Sequence, residues 1–125
     1  NQQIIASSGN LKEYNYDPCG HAEIKAIRTA CQNLKNWRLS DCTLYVTLEP
    51  CLMCLAAMIQ ARIGRLVFGA YDGKGGALSL GYEMQKDARL NHNFAVMGGI
   101  KRAEASVLLT NFFVTRRKNK ATSLK

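Results

Sequence analysis

This sequence predicts an α/β layered domain, on three observations. Segments with period-two alternation are interleaved with segments whose apolar residues recur every three or four positions, which is the pattern of strands joined by helices. The 125 residues are 47% hydrophobic and 21% charged, enough to build one core. No internal repeat and no linker-like stretch divides the chain, so residues 1–125 are expected to form a single domain.

The elements follow in order. "QQIIASSGN" opens with a short strand-like run that breaks at Gly9-Asn10, and "LKEYNYDPCG" is a loop marked by Asp17-Pro18 and Gly20. From His21, the spacing of Ile24, Ile27, Cys31 and Leu34 predicts an amphipathic helix over "HAEIKAIRTACQNLKN". In "CTLYVTL", Cys42, Leu44, Val46 and Leu48 alternate with Thr43, Tyr45 and Thr47, which predicts a strand. Pro50 stops that strand and is expected in the first turn of a second helix, "CLMCLAAMIQARI". "GRLVFGA" reads as a buried strand, followed by the glycine-rich loop "YDGKGGALS". A less periodic stretch, "LGYEMQKDARLNHN", leads to a short strand in "FAVMGGI" and a closing helix, "KRAEASVLLTNFFVTRRK".

Charge narrows the partners. Seventeen Lys plus Arg against nine Asp plus Glu give a formal charge of +8 and a pI of about 9.5. The last acidic residue is Glu104, while Arg116, Arg117, Lys118, Lys120 and Lys125 crowd the final ten. This favours polyanionic partners, although a solvated basic tail has the same composition. No apolar run has the length of a membrane span, and "NQQIIASSGN" has neither the basic start nor the apolar middle of a signal peptide. Five cysteines make an odd count, which fits a reducing cytoplasm better than a complete disulfide framework.

Chemistry concentrates in two places. Cys51 and Cys54 lie three apart, on one face of a helix, so their thiolates can grip one ion. His21, at the start of the preceding helix, would make three protein ligands. Three ligands and one open position are the pattern of a catalytic zinc, whereas a closed structural site needs four. Cys19, Cys31, Cys42 and His92 form no second ligand-spaced pair. Glu23 sits two residues beyond His21, turned away from it on a regular helix, yet near enough to the helix start to exchange protons with a bound water. Each feature alone has a plainer reading: two cysteines are ordinary core residues, and a glutamate in a first turn is favourable to the helix dipole. Their combination, with a proline before the first cysteine, is the specific signal.

"HAE" together with "PCLMC" resembles the signature of the zinc-dependent nucleobase deaminases. The likeness continues through "DPCGHAEIKAIR", "LYVTLEPCLMCLAAMIQARIGRLVFGAYD", "LNHNF" and "NFFVTRR", which resemble successive blocks of the bacterial tRNA-specific adenosine deaminases, from about Asn10 to Arg117. Those enzymes convert the wobble adenosine of an anticodon to inosine. The resemblance implies a three-layer α/β/α cytidine deaminase-like fold with a mixed sheet. It implies one Zn2+ per subunit held by His21, Cys51 and Cys54, with Glu23 as proton shuttle. It further implies that Asn10 hydrogen-bonds the target base and that Asp72 lies beside the anticodon nucleotides. Phe112, Phe113, Arg116 and Arg117 match a final-helix segment that helps hold the RNA, and "CLMCLAAMIQARI" with the loop after it matches a homodimer contact.

From local sequence alone, Asn10 and Asp72 are equally turn formers, and one of the adjacent Phe112 and Phe113 is expected in the core. The family begins with a helix and a strand before the segment matching "NQQIIASSGN", so the chain is expected to be incomplete at its N-terminus. Two other activities fit the zinc motif: deamination of a free nucleobase or nucleotide, and a zinc-stabilised RNA-binding module without catalysis.

Overall fold

The computed structural model describes residues 4–9 and 16–101. A helix α1 (Ala22–Leu34) follows the first loop, then a strand β1 (Thr43–Leu48), a helix α2 (Leu52–Gln60) and a strand β2 (Arg65–Ala70). A single 3₁₀ turn at Met84–Lys86 occupies the less periodic stretch, and β3 (Ala95–Met97) closes the described part.

The strands form one sheet in the order β1-β2-β3, and both pairs are parallel. Leu44 sits opposite Leu66, Val46 opposite Phe68 and Leu48 opposite Ala70. On the other side, Leu66 faces Val96. Parallel neighbours need a crossover, and α2 supplies it between β1 and β2. The burial of each strand follows its place. The central β2 is buried continuously from Leu66 to Ala70, whereas β1 alternates, with Tyr45 70% exposed.

The core lies where α2 covers the sheet. Leu55, Met58, Leu66 and Phe68 are almost wholly buried, and Ile27 and Ala30 of α1 join them from the side. Both helices end without glycine: Lys35 (φ 52°) and Arg62 (φ 58°) take up the left-handed conformation instead. After α2, Arg62 N–H donates to Ile59 O and Ile63 N–H to Met58 O, which satisfies carbonyls that the helix end would otherwise leave unpaired.

Three expectations change in detail. Residues 4–9 form no strand. Ile4 is 85% exposed, and the Ile5 carbonyl accepts from Asn33 Nδ2 of α1 at 2.8 Å rather than from a neighbouring strand. Among the described residues no strand pairs with it, and without a ladder an extended run is not a strand. Pro50 is not in the first turn of α2: Cys51 is the N-cap, and Leu55 N–H makes the first helical bond to Cys51 O at 2.9 Å, so the proline precedes the cap. Finally, the sheet expected to be mixed is parallel throughout the described residues. The closing helix, which would form the third layer, lies outside them.

Candidate metal centre

The centre is built from two helix starts. His21 caps α1 and Cys51 caps α2, both in extended backbone conformation, and neither side chain makes a capping hydrogen bond. An N-cap side chain ordinarily turns back onto the free N–H groups of its own helix. Here the two turn toward each other. His21 Nδ1 lies 3.6 Å from Cys51 Sγ and 3.5 Å from Cys54 Sγ, which rises from the first turn of α2. The ligand atoms of all three lie within 4.8 Å of one another.

The donor set fits zinc. Bonds of about 2.3 Å to sulfur and about 2.05 Å to nitrogen at a tetrahedral angle put N and S about 3.6 Å apart. The two N···S distances, 3.5 and 3.6 Å, already have that length. Among the described residues no other group of three or more His, Cys, Asp or Glu side chains could hold a metal ion. Cys31 Sγ is instead 3.6 Å from Trp37 O, and a His92 ring nitrogen is 2.7 Å from Ile63 O.

Burial grades the three ligands. Cys54 is fully buried, whereas His21 and Cys51 are half-buried, so the open side faces outward past them. Burial pushes the Cys54 thiol well above its ordinary range, and the neighbouring Glu23 and Cys51 push it further by charge and by hydrogen bonding. Without a metal this thiol keeps its proton, and metal binding must displace it. Glu23 is the second residue of α1, half-buried, with its carboxylate against Cys54. It is outside the ligand group, but close enough to Cys54 to raise its thiol.

Asp72 follows β2 at the C-terminal end of the sheet. Its Oδ1 accepts from the backbone N–H of Lys74 at 3.0 Å and of Gly75 at 3.1 Å. Both bonds are those of a turn former, which is the reading that its local sequence gives. Asn10, Phe112, Phe113, Arg116 and Arg117 lie outside the described residues. Two residues of the same region were not singled out from the sequence: the 3% exposed Glu49, and Ser79, which donates to it. The available signal was an acidic residue at the end of a strand directly before Pro50.

Comparison with known proteins identifies the family. The sequence model of the MafB19-like deaminase family matches residues 1–117. A tRNA-specific adenosine deaminase of Haemophilus influenzae is 44% identical over 119 residues, covering 95% of this chain and 69% of that protein. One from Bacillus subtilis is 41% identical over 125 residues, covering 100% of this chain and 78% of that protein. Among solved structures, one from studies of A-to-I editing by tRNA:A34 deaminases at the wobble position superposes with a TM-score of 0.79 at 43% identity, covering 85% of this chain and 77% of the other. The Bacillus subtilis guanine deaminase gives a TM-score of 0.57 at 38% identity, covering 66% and 52%. Shared length, identity and fold agree: this chain belongs to the MafB19-like deaminase family, and within it to the family of the tRNA-specific adenosine deaminases.

Proposed function

We propose that this protein hydrolyses the 6-amino group of the wobble adenosine in a tRNA anticodon, leaving inosine and releasing ammonia. The observation that carries the reading is the His21, Cys51 and Cys54 group at two helix starts, with Glu23 beside it but outside it. In this reading His21, Cys51 and Cys54 hold one Zn2+ per subunit. Bound there, zinc acts as a Lewis acid that makes water an effective nucleophile near neutral pH. The two thiolates offset its charge, and the free N–H groups at the starts of α1 and α2 draw off part of theirs.

The remaining chemistry belongs to Glu23. Its carboxylate takes the proton of the water that attacks C6 and delivers it to ring nitrogen N1. A second proton passes through the same carboxylate to the amine, the C6–N bond breaks, and ammonia departs. Adenosine in an anticodon loop is unpaired, so turning it out of its stack costs little.

We assign the base contact to Asn10 and the neighbouring nucleotides to Asp72. The segment with Phe112, Phe113, Arg116 and Arg117 is assigned to the anticodon stem-loop, where a stacking ring and phosphate-binding guanidinium groups suit RNA. The protein is proposed to work as a cytoplasmic homodimer. All five cysteines are free thiols, and no described helix is long and apolar enough to cross a membrane. Leu52 and Ala56 are exposed on the α2 segment assigned to the subunit contact.

A second reading, deamination of a free base, is favoured by the likeness to guanine deaminase. One assay separates them: zinc-loaded protein is offered an anticodon stem-loop and, separately, free guanine, cytosine and adenosine. Inosine in the stem-loop supports RNA editing. Turnover of a free base alone overturns it.

A further inference from the structure

The deamination chemistry makes no use of Glu49, yet this carboxyl group is almost fully buried beside the metal-binding turn. Three donors from one loop surround it. Oε1 accepts from Asp72 N–H at 3.0 Å and from the Ser79 hydroxyl, and Oε2 accepts from Ser79 N–H at 2.7 Å. Among the described residues no Lys or Arg pairs with it. The loop closes on itself through Gly76 N–H and Asp72 O, 2.8 Å apart, and is tied to Pro50 O by Ala77 N–H at 2.9 Å. Its backbone lies directly on the carboxyl group, since a Cβ at Gly76 would stand 2.3 Å from Glu49 Cδ. Loop 72–79 is thus wrapped around a side chain from outside itself.

We propose that Glu49 is a positioning residue for the RNA substrate. It holds loop 72–79 in the one conformation that presents Asp72 to the anticodon, and it acts through that loop. The inference rests on the reading above that Asp72 meets RNA. Two connections give it force. Glu49 is followed by Pro50 and then by the N-cap Cys51, so the loop is referenced to the chain that carries a metal ligand. The carboxyl group also takes its bonds from both ends of the loop, at Asp72 and Ser79, so releasing it frees the whole span.

The test is E49Q in the full chain, loaded with zinc. Glutamine has the same shape but one accepting oxygen, so in either orientation its amide group meets the N–H of Asp72 or of Ser79. With an anticodon stem-loop as substrate, KM is expected to rise about tenfold while kcat stays within about twofold and zinc content is unchanged. S79A, at an exposed residue, gives a smaller rise in KM of about threefold and serves if E49Q fails to fold.

A double-mutant cycle supplies the sharper readout. D72N keeps the oxygen that caps Lys74 and Gly75 but removes the charge, and in that background the E49Q increment in KM is expected to shrink below about twofold. An unchanged KM in E49Q and S79A, or a full increment retained in D72N, overturns the proposal. So does a loss of kcat together with zinc, which is the mark of a merely structural residue. An inactive wild type on the stem-loop overturns the functional reading and this inference with it, whereas an active wild type with unaffected variants overturns the inference alone.

Discussion

Replacing Glu23 with glutamine separates the proton chemistry from the metal. Glu23 is at the second position of α1, and its carboxylate lies against the Cys54 thiol without belonging to the ligand group. Glutamine has the same length and keeps one oxygen that can accept there, so the variant should fold and retain zinc. Its amide can neither take a proton from water nor return one. A single positioned acid or base is typically worth about 10²- to 10⁴-fold in rate, and here one group serves both N1 and the leaving amine, which places the loss at about 10³- to 10⁴-fold. At about 1.36 kcal/mol per factor of ten, that is about 4 to 5.5 kcal/mol of barrier. The assay is single-turnover conversion of an anticodon stem-loop with enzyme in excess, scoring inosine by the base it directs in reverse transcription and measuring zinc on the same sample. Turnover within about tenfold of wild type, with zinc retained, would refute Glu23 as the shuttle. Activity lost together with zinc would place it in the metal group instead.

Three further outcomes follow from the packing and the electrostatics. The Cys54 thiol is raised above its ordinary value of 9.0, so the folded metal-free protein holds a proton that the unfolded chain releases. Stability of the metal-free form is therefore complete below that pH and falls as pH rises beyond it, while the zinc-loaded form is spared because its proton is already gone; melting curves from neutral to alkaline pH check this. Leu55→Ala, at a fully buried position of α2, should cost about 2 to 5 kcal/mol in denaturant unfolding and weaken zinc retention, since the same helix carries both thiols. At Arg62, φ 58°, glycine relieves the backbone while alanine does not, and both lose the 2.8 Å bond from Nη1 to Asn91 O. R62G should accordingly be more stable than R62A by about 1 kcal/mol, and equal stabilities would remove backbone strain from the account.

Much of the fold was legible because periodicity and breakers agreed. The alternation in "CTLYVTL" and the continuous apolar run in "GRLVFGA" match a half-exposed β1 and a buried β2, for a buried strand has no face left for polar residues. Helix ends were less legible. Both helices stop at left-handed residues that are not glycine, Lys35 and Arg62, so the usual stop signal is missing, and the expected helices run past Leu34 and Gln60. Of the site, the ligand types and spacing were in the sequence, but the approach of His21 to Cys51 and Cys54 is a tertiary fact about two helix starts meeting. Glu49 escaped for the same reason: its three donors lie more than twenty residues away along the chain, and no local pattern announces them.

The poor local choices at the site also explain how it is held. Histidine and cysteine are weak N-cap residues, and giving up a good cap costs a helix about 1 kcal/mol. The chain accepts that at both α1 and α2, where a serine or aspartate would have served the helix better. Such a conflict between local preference and observed residue is expected where function overrides stability. A ligand at an N-cap also has a particular advantage: its backbone is extended, fixed on one side by the helix and on the other by the incoming chain, here Gly20 and the buried Pro50. Two caps facing each other define a metal position more tightly than two loop residues would. Removing zinc should then leave α1 and α2 intact but loosen their starts, so amide exchange should quicken at the first turns of both helices and much less at the buried strand β2. Uniform quickening across the sheet would mean instead that the metal holds the whole fold together rather than the two caps.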